Sequence, residues 1–208
     1  MAAFRVAVLI SGAGTNLQAL LDQVHAPGGP IEIVGVASSR AGAPGLERAE
    51  RAGVETAVFE IGEHADRSAR DAALGDWLDA LGVELVVLAG FMELLGSEFI
   101  GRFAGRMINV HPSLLPAFPG LRAIEQAVEH GVKVMGVTVH FVDEGVDSGP
   151  IVLQEPLELS YPARIAEIEE RVHGVEHRLL PRAVRLIAAG RVQRDPANPR
   201  AVVVDDVD

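Results

Sequence analysis

Short apolar runs rich in valine, isoleucine and leucine alternate along most of this chain with stretches of helical spacing. That order limits the fold more than any other feature. Residues 4–10, 31–37, 56–59 and 85–89 read as strands, and 107–110, 134–142 and 151–153 continue the series. Between them, 16–24, 45–52, 70–81 and 122–130 show helical spacing of their apolar residues. Strands that are apolar on both faces need cover on both, and a helix between successive strands supplies it. The expected fold class is therefore α/β, a doubly wound, mostly parallel sheet with helices on both faces. The alternation fails once. The runs 134–142 and 151–153 have no helix between them, only the acidic and glycine-rich DEGVDSG, which suits a turn, so antiparallel strands are expected at that edge.

Residues 163–189 carry Ile165, Ile168, Val172, Val175, Leu179 and Leu180 at three- and four-residue steps. This spacing predicts a long amphipathic helix, disturbed near Pro181, where a backbone donor is lost and the ring crowds the preceding turn. After Gly190 the chain holds two prolines and ends VVVDDVD, read as a small strand that then frays. No repeat or linker divides the sequence, so one domain over 1–208 is expected, with an N-terminal half of about 1–105, a C-terminal part of about 106–194 and a tail of 195–208.

Eighteen basic residues stand against twenty-nine acidic ones, a formal charge of −11. Such a balance argues against binding nucleic acid or an anionic membrane, which need a basic footprint. No run approaches the roughly 20 apolar residues that span a bilayer, and the N-terminus lacks the features of a secretory signal. The absence of cysteine removes disulfides, thiolate nucleophiles and cysteine metal sites. A cytoplasmic globular protein is expected.

Four segments could carry chemistry. In LISGAGTNL a strand runs through Gly12 and Gly14 into a helix whose start offers N–H groups and a positive dipole end. Thr15 and Asn16 could cap that helix or bind an anion. The third glycine and the acidic strand end of a dinucleotide site are missing, so a monophosphate fits better, with a simple tight turn as the alternative. In MINVHPSLLPAFPG, Asn109 and His111 leave the same face of an extended chain, and Pro112 and Pro116 stiffen the turn beyond them. An amide and an imidazole at a strand end suit oxyanion stabilisation and proton transfer; a histidine satisfying loop backbone is the other reading. In HFVDEGVDSGPI, Asp143, Glu144 and Asp147 lie between two strands. They form either a solvated turn or a carboxylate that raises a neighbouring histidine's pKa and keeps His111 an acid near neutral pH. No metal site is expected. In LAGFMELLG, Gly90 marks a sharp exit from a strand, and Phe91, Met92 and Leu95 form an apolar wall suited to core packing or to a flat ligand.

Together with SSRAGAPGLERA and EHRLLP, these segments resemble the phosphoribosylglycinamide formyltransferases over nearly the whole chain. NVHPSLLP followed by VDSGPI is the specific pair. The resemblance implies a formyltransferase-like fold whose N-terminal half binds a ribonucleotide phosphate. It implies transfer of the formyl group of 10-formyltetrahydrofolate to the amine of N1-(5-phosphoribosyl)glycinamide in purine synthesis, without a metal. It further implies that His111 is the general acid, Asn109 the oxyanion partner, and Asp147 the carboxylate orienting and charging His111. Gly14, Thr15, Asn16 and Glu176 match ribonucleotide contacts. Arg67, Met92, Glu93, Leu94, Leu95, Asn109 and the loop Asp143, Glu144, Gly145, Val146, Asp147 match folate contacts. Small-molecule substrates are the expected partners, with no nucleic acid, no membrane, and a monomeric or homodimeric state.

The chain departs from the family at a few positions. Ala13 stands where an asparagine is frequent, Arg122 where a histidine is usual, Glu125 where an arginine is common, and Glu93 where some members are basic. Two related families are set aside. Formyltetrahydrofolate deformylases carry an extra N-terminal domain, whereas Phe4 here opens the first strand. Methionyl-tRNA formyltransferases carry a C-terminal RNA-binding domain, for which the residues after Gly190 leave no room. A binder that kept the pocket and lost turnover is the reading from another class.

Overall fold

In the first strand, β1 (Phe4–Ile10), Val6 to Ile10 are all shielded from solvent. The strand sits between two parallel neighbours, β2 (Ile31–Ser38) and β4 (Leu85–Leu88), so that Val8 pairs with Val36 on one side and Val87 on the other. β3 (Glu55–Val58) pairs in parallel with β2. The later strands are β5 (Met107–His111), β6 (Val134–Phe141) and β7 (Ile151–Glu158). All seven form one sheet in the order β3-β2-β1-β4-β5-β6-β7. β6 and β7 are antiparallel, as the helix-free junction between them required. The computed structural model describes residues 2–205, and the chain divides after Ile108 into two compact units.

In the unit of residues 1–108 the crossovers are α1 (Thr15–Gln23), α2 (Gly45–Arg51) and α3 (Arg67–Ala80). Each turns its apolar stripe inward, as Leu17 and Leu20 of α1 and Leu74 and Leu78 of α3 do. A 3-10 turn at Ile61–Glu63 and the short α4 (Ser97–Arg102) were not foreseen. Both are too short to display a helical period.

The unit of residues 109–208 holds α5 (Ala123–Glu129) and α6 (Ile165–Ala188). α6 runs through Pro181 without a break, against expectation. Leu179, Leu180, Ala183 and Val184 around it are at most 2% exposed, and burial on both sides outweighs the one backbone bond that proline removes. The tail forms two strands rather than one. β8 (Val192–Asp195) and β9 (Asn198–Val204) make an antiparallel pair in which Val192 faces Val204. Residues 206–208, where fraying was expected, lie outside the described residues. Among the described residues no helix is long and apolar enough to cross a membrane.

Candidate active site

β5 ends in Asn109 and His111, whose side chains leave the strand on one face because Val110 between them points to the other. β6 brings His140 to the same place, and the loop after it brings Asp147. Asp147 Oδ2 lies 3.3 Å from His111 Nδ1, and its Oδ1 lies 3.5 Å from His140 Nε2. The Asn109 amide nitrogen donates to Asp147 Oδ1 at 3.3 Å and stands 3.2 Å from His140 Nε2. The Gly120 N–H donates to Asp147 Oδ2 at 2.8 Å. One carboxylate thus serves two imidazoles, a side-chain amide and a backbone amide. His140 was missed in the sequence because its alternation along β6 looks like that of a core residue.

The backbone fixes both tautomers. A carbonyl only accepts, so His111 Nε2, 2.8 Å from the Phe118 oxygen, carries a hydrogen. His140 Nδ1, 2.9 Å from the Phe141 oxygen, carries one as well. The remaining nitrogen of each ring faces Asp147. Burial would raise the Asp147 carboxyl, yet the hydrogen bond that His140 Nε2 donates once that ring is protonated, the Gly120 amide and the charges of both protonated histidines outweigh it and hold the group at about 2. For His111 the balance differs from expectation. Burial pushes its pKa below the usual histidine value and prevails over the Phe118 carbonyl and the Asp147 charge, which pull upward. Asp147 alone therefore does not keep His111 charged at neutral pH.

The loop that delivers Asp147 is tied to itself. Asp143 Oδ1 accepts from the Gly145 N–H at 3.2 Å and from the Ser148 hydroxyl at 2.6 Å, so Asp143 shapes the turn, while Glu144, Gly145 and Val146 are exposed. Asp147 itself sits in the left-handed region at φ 49°, a strained conformation for a residue with a side chain. At Gly149 a Cβ would overlap the Phe141 carbonyl oxygen, so only glycine lets the loop close on β6. On the other side the turn after His111 is held by buried polar contacts. Thr138 Oγ1 donates to the Ser113 oxygen at 2.7 Å and accepts from the Leu115 N–H at 3.1 Å. Gln154 adds a bond to the Leu115 oxygen at 2.9 Å.

Glu176 lies on the buried face of α6. The same helix carries His173 and His177 one turn apart with rings stacked at 6.1 Å, a helical His-x-x-x-His pair where none was expected. Among the described residues no group of three or more histidines and carboxylates could hold a metal ion. Arg122, at φ 60°, is the N-cap residue of α5 and pairs with Glu125 at 3.4 Å on the surface.

In the unit of residues 1–108, Gly14 rather than Thr15 or Asn16 is the N-cap of α1, at φ 70° and with no side chain closing the helix end. Its lack of a Cβ permits contact with α2, since a Cβ would stand 2.7 Å from the Gly45 Cα. Arg48 of α2 braces the loop by donating to the Ala13 oxygen at 2.8 Å. Arg67 opens α3 and borders an open groove of about 550 Å³. Met92, Glu93, Leu94 and Leu95 follow β4 in an irregular segment whose Met92 and Leu94 are 61% and 67% exposed.

Residues 4–184 match the formyl transferase family. This chain belongs to it. The phosphoribosylglycinamide formyltransferase of Haemophilus influenzae is 42% identical over 189 residues, which cover 91% of this chain and 89% of that protein. The human trifunctional purine biosynthetic protein adenosine-3 is 46% identical over 189 residues, and there the chain spans only 19% of the relative's length. The crystal structure of glycinamide ribonucleotide transformylase 1 from Symbiobacterium toebii superposes with a TM-score of 0.92 at 48% identity, covering 98% of this chain and 95% of that one. The formyl transferase match includes β5, β6 and the Asp147 loop, and so contains the whole Asn109–His111–His140–Asp147 cluster.

Proposed function

We propose that this chain transfers the formyl group of 10-formyltetrahydrofolate to the amine of N1-(5-phosphoribosyl)glycinamide, in the cytoplasm and in purine synthesis. The observation that carries the reading is the single carboxylate of Asp147 facing His111 Nδ1 beside the Asn109 amide, in a chain of this family. The amine attacks the formyl carbon, a C–N bond forms, and the carbonyl electron pair moves to oxygen. One N–H of the Asn109 amide turns from its resting partner, Asp147 or His140, and donates to that oxyanion. His111, neutral before reaction because burial lowers its pKa, takes the amine's proton through water. The imidazolium is then held between Asp147 and the Phe118 carbonyl, and its charge stabilises the oxyanion beside it. As the tetrahedral adduct collapses, the bond to folate N10 breaks, and His111 returns its proton to N10 as general acid. His140 keeps Asp147 ionised from the other side. No metal or nucleotide energy source enters any step.

Gly14, Thr15 and Asn16 are assigned to the ribonucleotide phosphate, with Glu176 to the same substrate. The uncapped start of α1 supports the first assignment, because amide groups at a helix N-terminus favour an anion. Arg67, Met92 to Leu95 and Asp143 to Asp147 are assigned to the folate, a flat ring system with an anionic tail. The test is turnover of 10-formyltetrahydrofolate or its dideaza analogue with and without the ribonucleotide. Release of deformylated folate only with the ribonucleotide is the expected result. Equal release without it makes the chain a deformylase, and no release in either case makes it a binder.

A further inference from the structure

Among the described residues Arg70 is the largest fully buried side chain, at 0% exposure, and formyl transfer gives it no role. Its Nε donates to Asp71 Oδ1 at 2.7 Å, and its Nη2 donates to the Leu94 carbonyl at 3.0 Å. The other oxygen of Asp71 accepts from the Gly96 N–H at 2.7 Å. The guanidinium carbon stands 5.9 Å from the centre of the Phe91 ring, and the Met92 N–H donates to the Ser11 hydroxyl at 2.8 Å, itself bonded to Ser39 at 2.7 Å. Phe91, Met92, Leu94 and Gly96 are thus each held from beneath, although the segment has no regular secondary structure. Its two exposed apolar side chains are Met92 and Leu94.

Segments without helix or strand bonds are ordinarily the mobile part of a domain. Two exposed apolar side chains close together on a backbone held from beneath suit a ligand that must meet a surface already in place. A buried ion pair is weak ground for stability, because desolvation of the charges offsets most of their attraction. The pair also leaves Arg70 Nη1 buried without a partner, a further cost. Its return lies in conformation. We propose that Arg70 and Asp71 are positioning residues that fix the 91–96 segment, so that Met92 and Leu94 present a preorganised apolar platform to the flat ring system of the formyl donor. The proposal rests on the assignment of Met92 to Leu95 to the folate. The same two turns of α3 carry Arg67, so one rigid helix sets both the platform and the cation assigned to that ligand.

Arg70→Met replaces the charge by an apolar side chain of similar length, and Ser11→Ala removes the Met92 anchor with little change of volume. With 10-formyldideazafolate as donor, each is expected to raise the folate KM about tenfold through lost preorganisation. The expected kcat stays within about twofold, with an unchanged ribonucleotide KM and pH profile. The melting temperature of Arg70→Met is expected to fall, because the Asp71 carboxylate is left buried without its cation, whereas that of Ser11→Ala is expected to stay close to the parent's. A loss of kcat with a rise in both KM values together, or an unchanged folate KM in both variants, overturns the proposal. The double variant Met92→Ser, Leu94→Ser separates the two levels. If it raises the folate KM while Arg70→Met and Ser11→Ala do not, the clamp is wrong and the folate assignment stands. If it leaves the folate KM unchanged, both fall.

Discussion

Asp147 Oδ2 stands 3.3 Å from Nδ1 of His111, on the side of the ring away from the Phe118 carbonyl that binds Nε2. This arrangement sets the pH response. Burial lowers the His111 pKa below 6.5 and the nearby carboxylate pulls it part of the way back. A base that must be neutral to collect the amine's proton gives a kcat/KM profile rising with pH through that value, so the acid limb is expected below pH 6.5. Asp147→Asn removes the upward pull. It is expected to lower turnover by about 10²-fold or more and to move the acid limb of the residual activity further down. Stopped-time assays between about pH 5 and 9 check both, and a limb displaced upward in the variant contradicts the assignment.

The same carboxylate makes a prediction about stability. Its pKa is about 2 in the folded chain against 3.8 for a free group. A carboxyl depressed by folding stabilises the folded state at all pH values above its unfolded pKa, and the contribution disappears as pH falls from about 4 to about 2. The difference corresponds to about 2 kcal/mol. Urea unfolding of the parent and of Asp147→Asn is expected to show a stability gap at about pH 6 that narrows below about pH 4. A gap independent of pH assigns the loss to packing. His140→Gln removes the largest of the influences that lower the group, and is expected to flatten the parent's own decline between about pH 4 and pH 2.

Much of this was legible in the sequence because it rests on short-range rules. The parallel half followed from buried runs such as Val6 to Ile10 alternating with helical stripes, and the antiparallel β6–β7 pair followed from the missing helix. Asn109 and His111 shared a face because strand side chains alternate. The features that escaped depend on long-range partners. His140 is defined by a carboxylate seven residues on that folds back only through the left-handed turn at Asp147. The depression of the His111 pKa reflects burial, which no local pattern reports. Arg70 looked like one more polar residue on α3, and only the return of the 91–96 segment buries it. The continuity of α6 through Pro181 was decided by packing on both sides of the proline rather than by its own propensity.

Gly14 links the turn before α1 to the ribonucleotide assignment. It has φ 70°, and a Cβ there would meet the Gly45 Cα at 2.7 Å. A left-handed conformation alone costs a non-glycine residue roughly 1–2 kcal/mol, and backbone on the opposing helix has little room to give. Gly14→Ala is therefore expected to lower the melting temperature and raise the ribonucleotide KM severalfold, with the folate KM unchanged. Calorimetry and initial-rate kinetics with each substrate varied check this. A rise in the folate KM alone reverses the two substrate assignments.

Thr138 supports the active site without reaching it. Its buried hydroxyl donates to the Ser113 carbonyl and accepts from the Leu115 N–H and from Gln154, tying β6 to the turn beyond His111. Valine has nearly the same shape and none of these bonds. Thr138→Val strands a carbonyl and an N–H in the interior, a change that destabilises by about 1–3 kcal/mol. Because the Ser113 N–H is bonded to the His111 carbonyl at 2.9 Å, loosening this turn also frees the end of β5, and misplacement of a catalytic group is felt mainly in the chemical step. The variant is expected to lose turnover with both KM values little changed, whereas Thr138→Ser, which keeps the hydroxyl, is expected to restore it. If Thr138→Val is destabilised to the stated extent yet keeps parental kcat, the turn and the position of His111 are independent of each other.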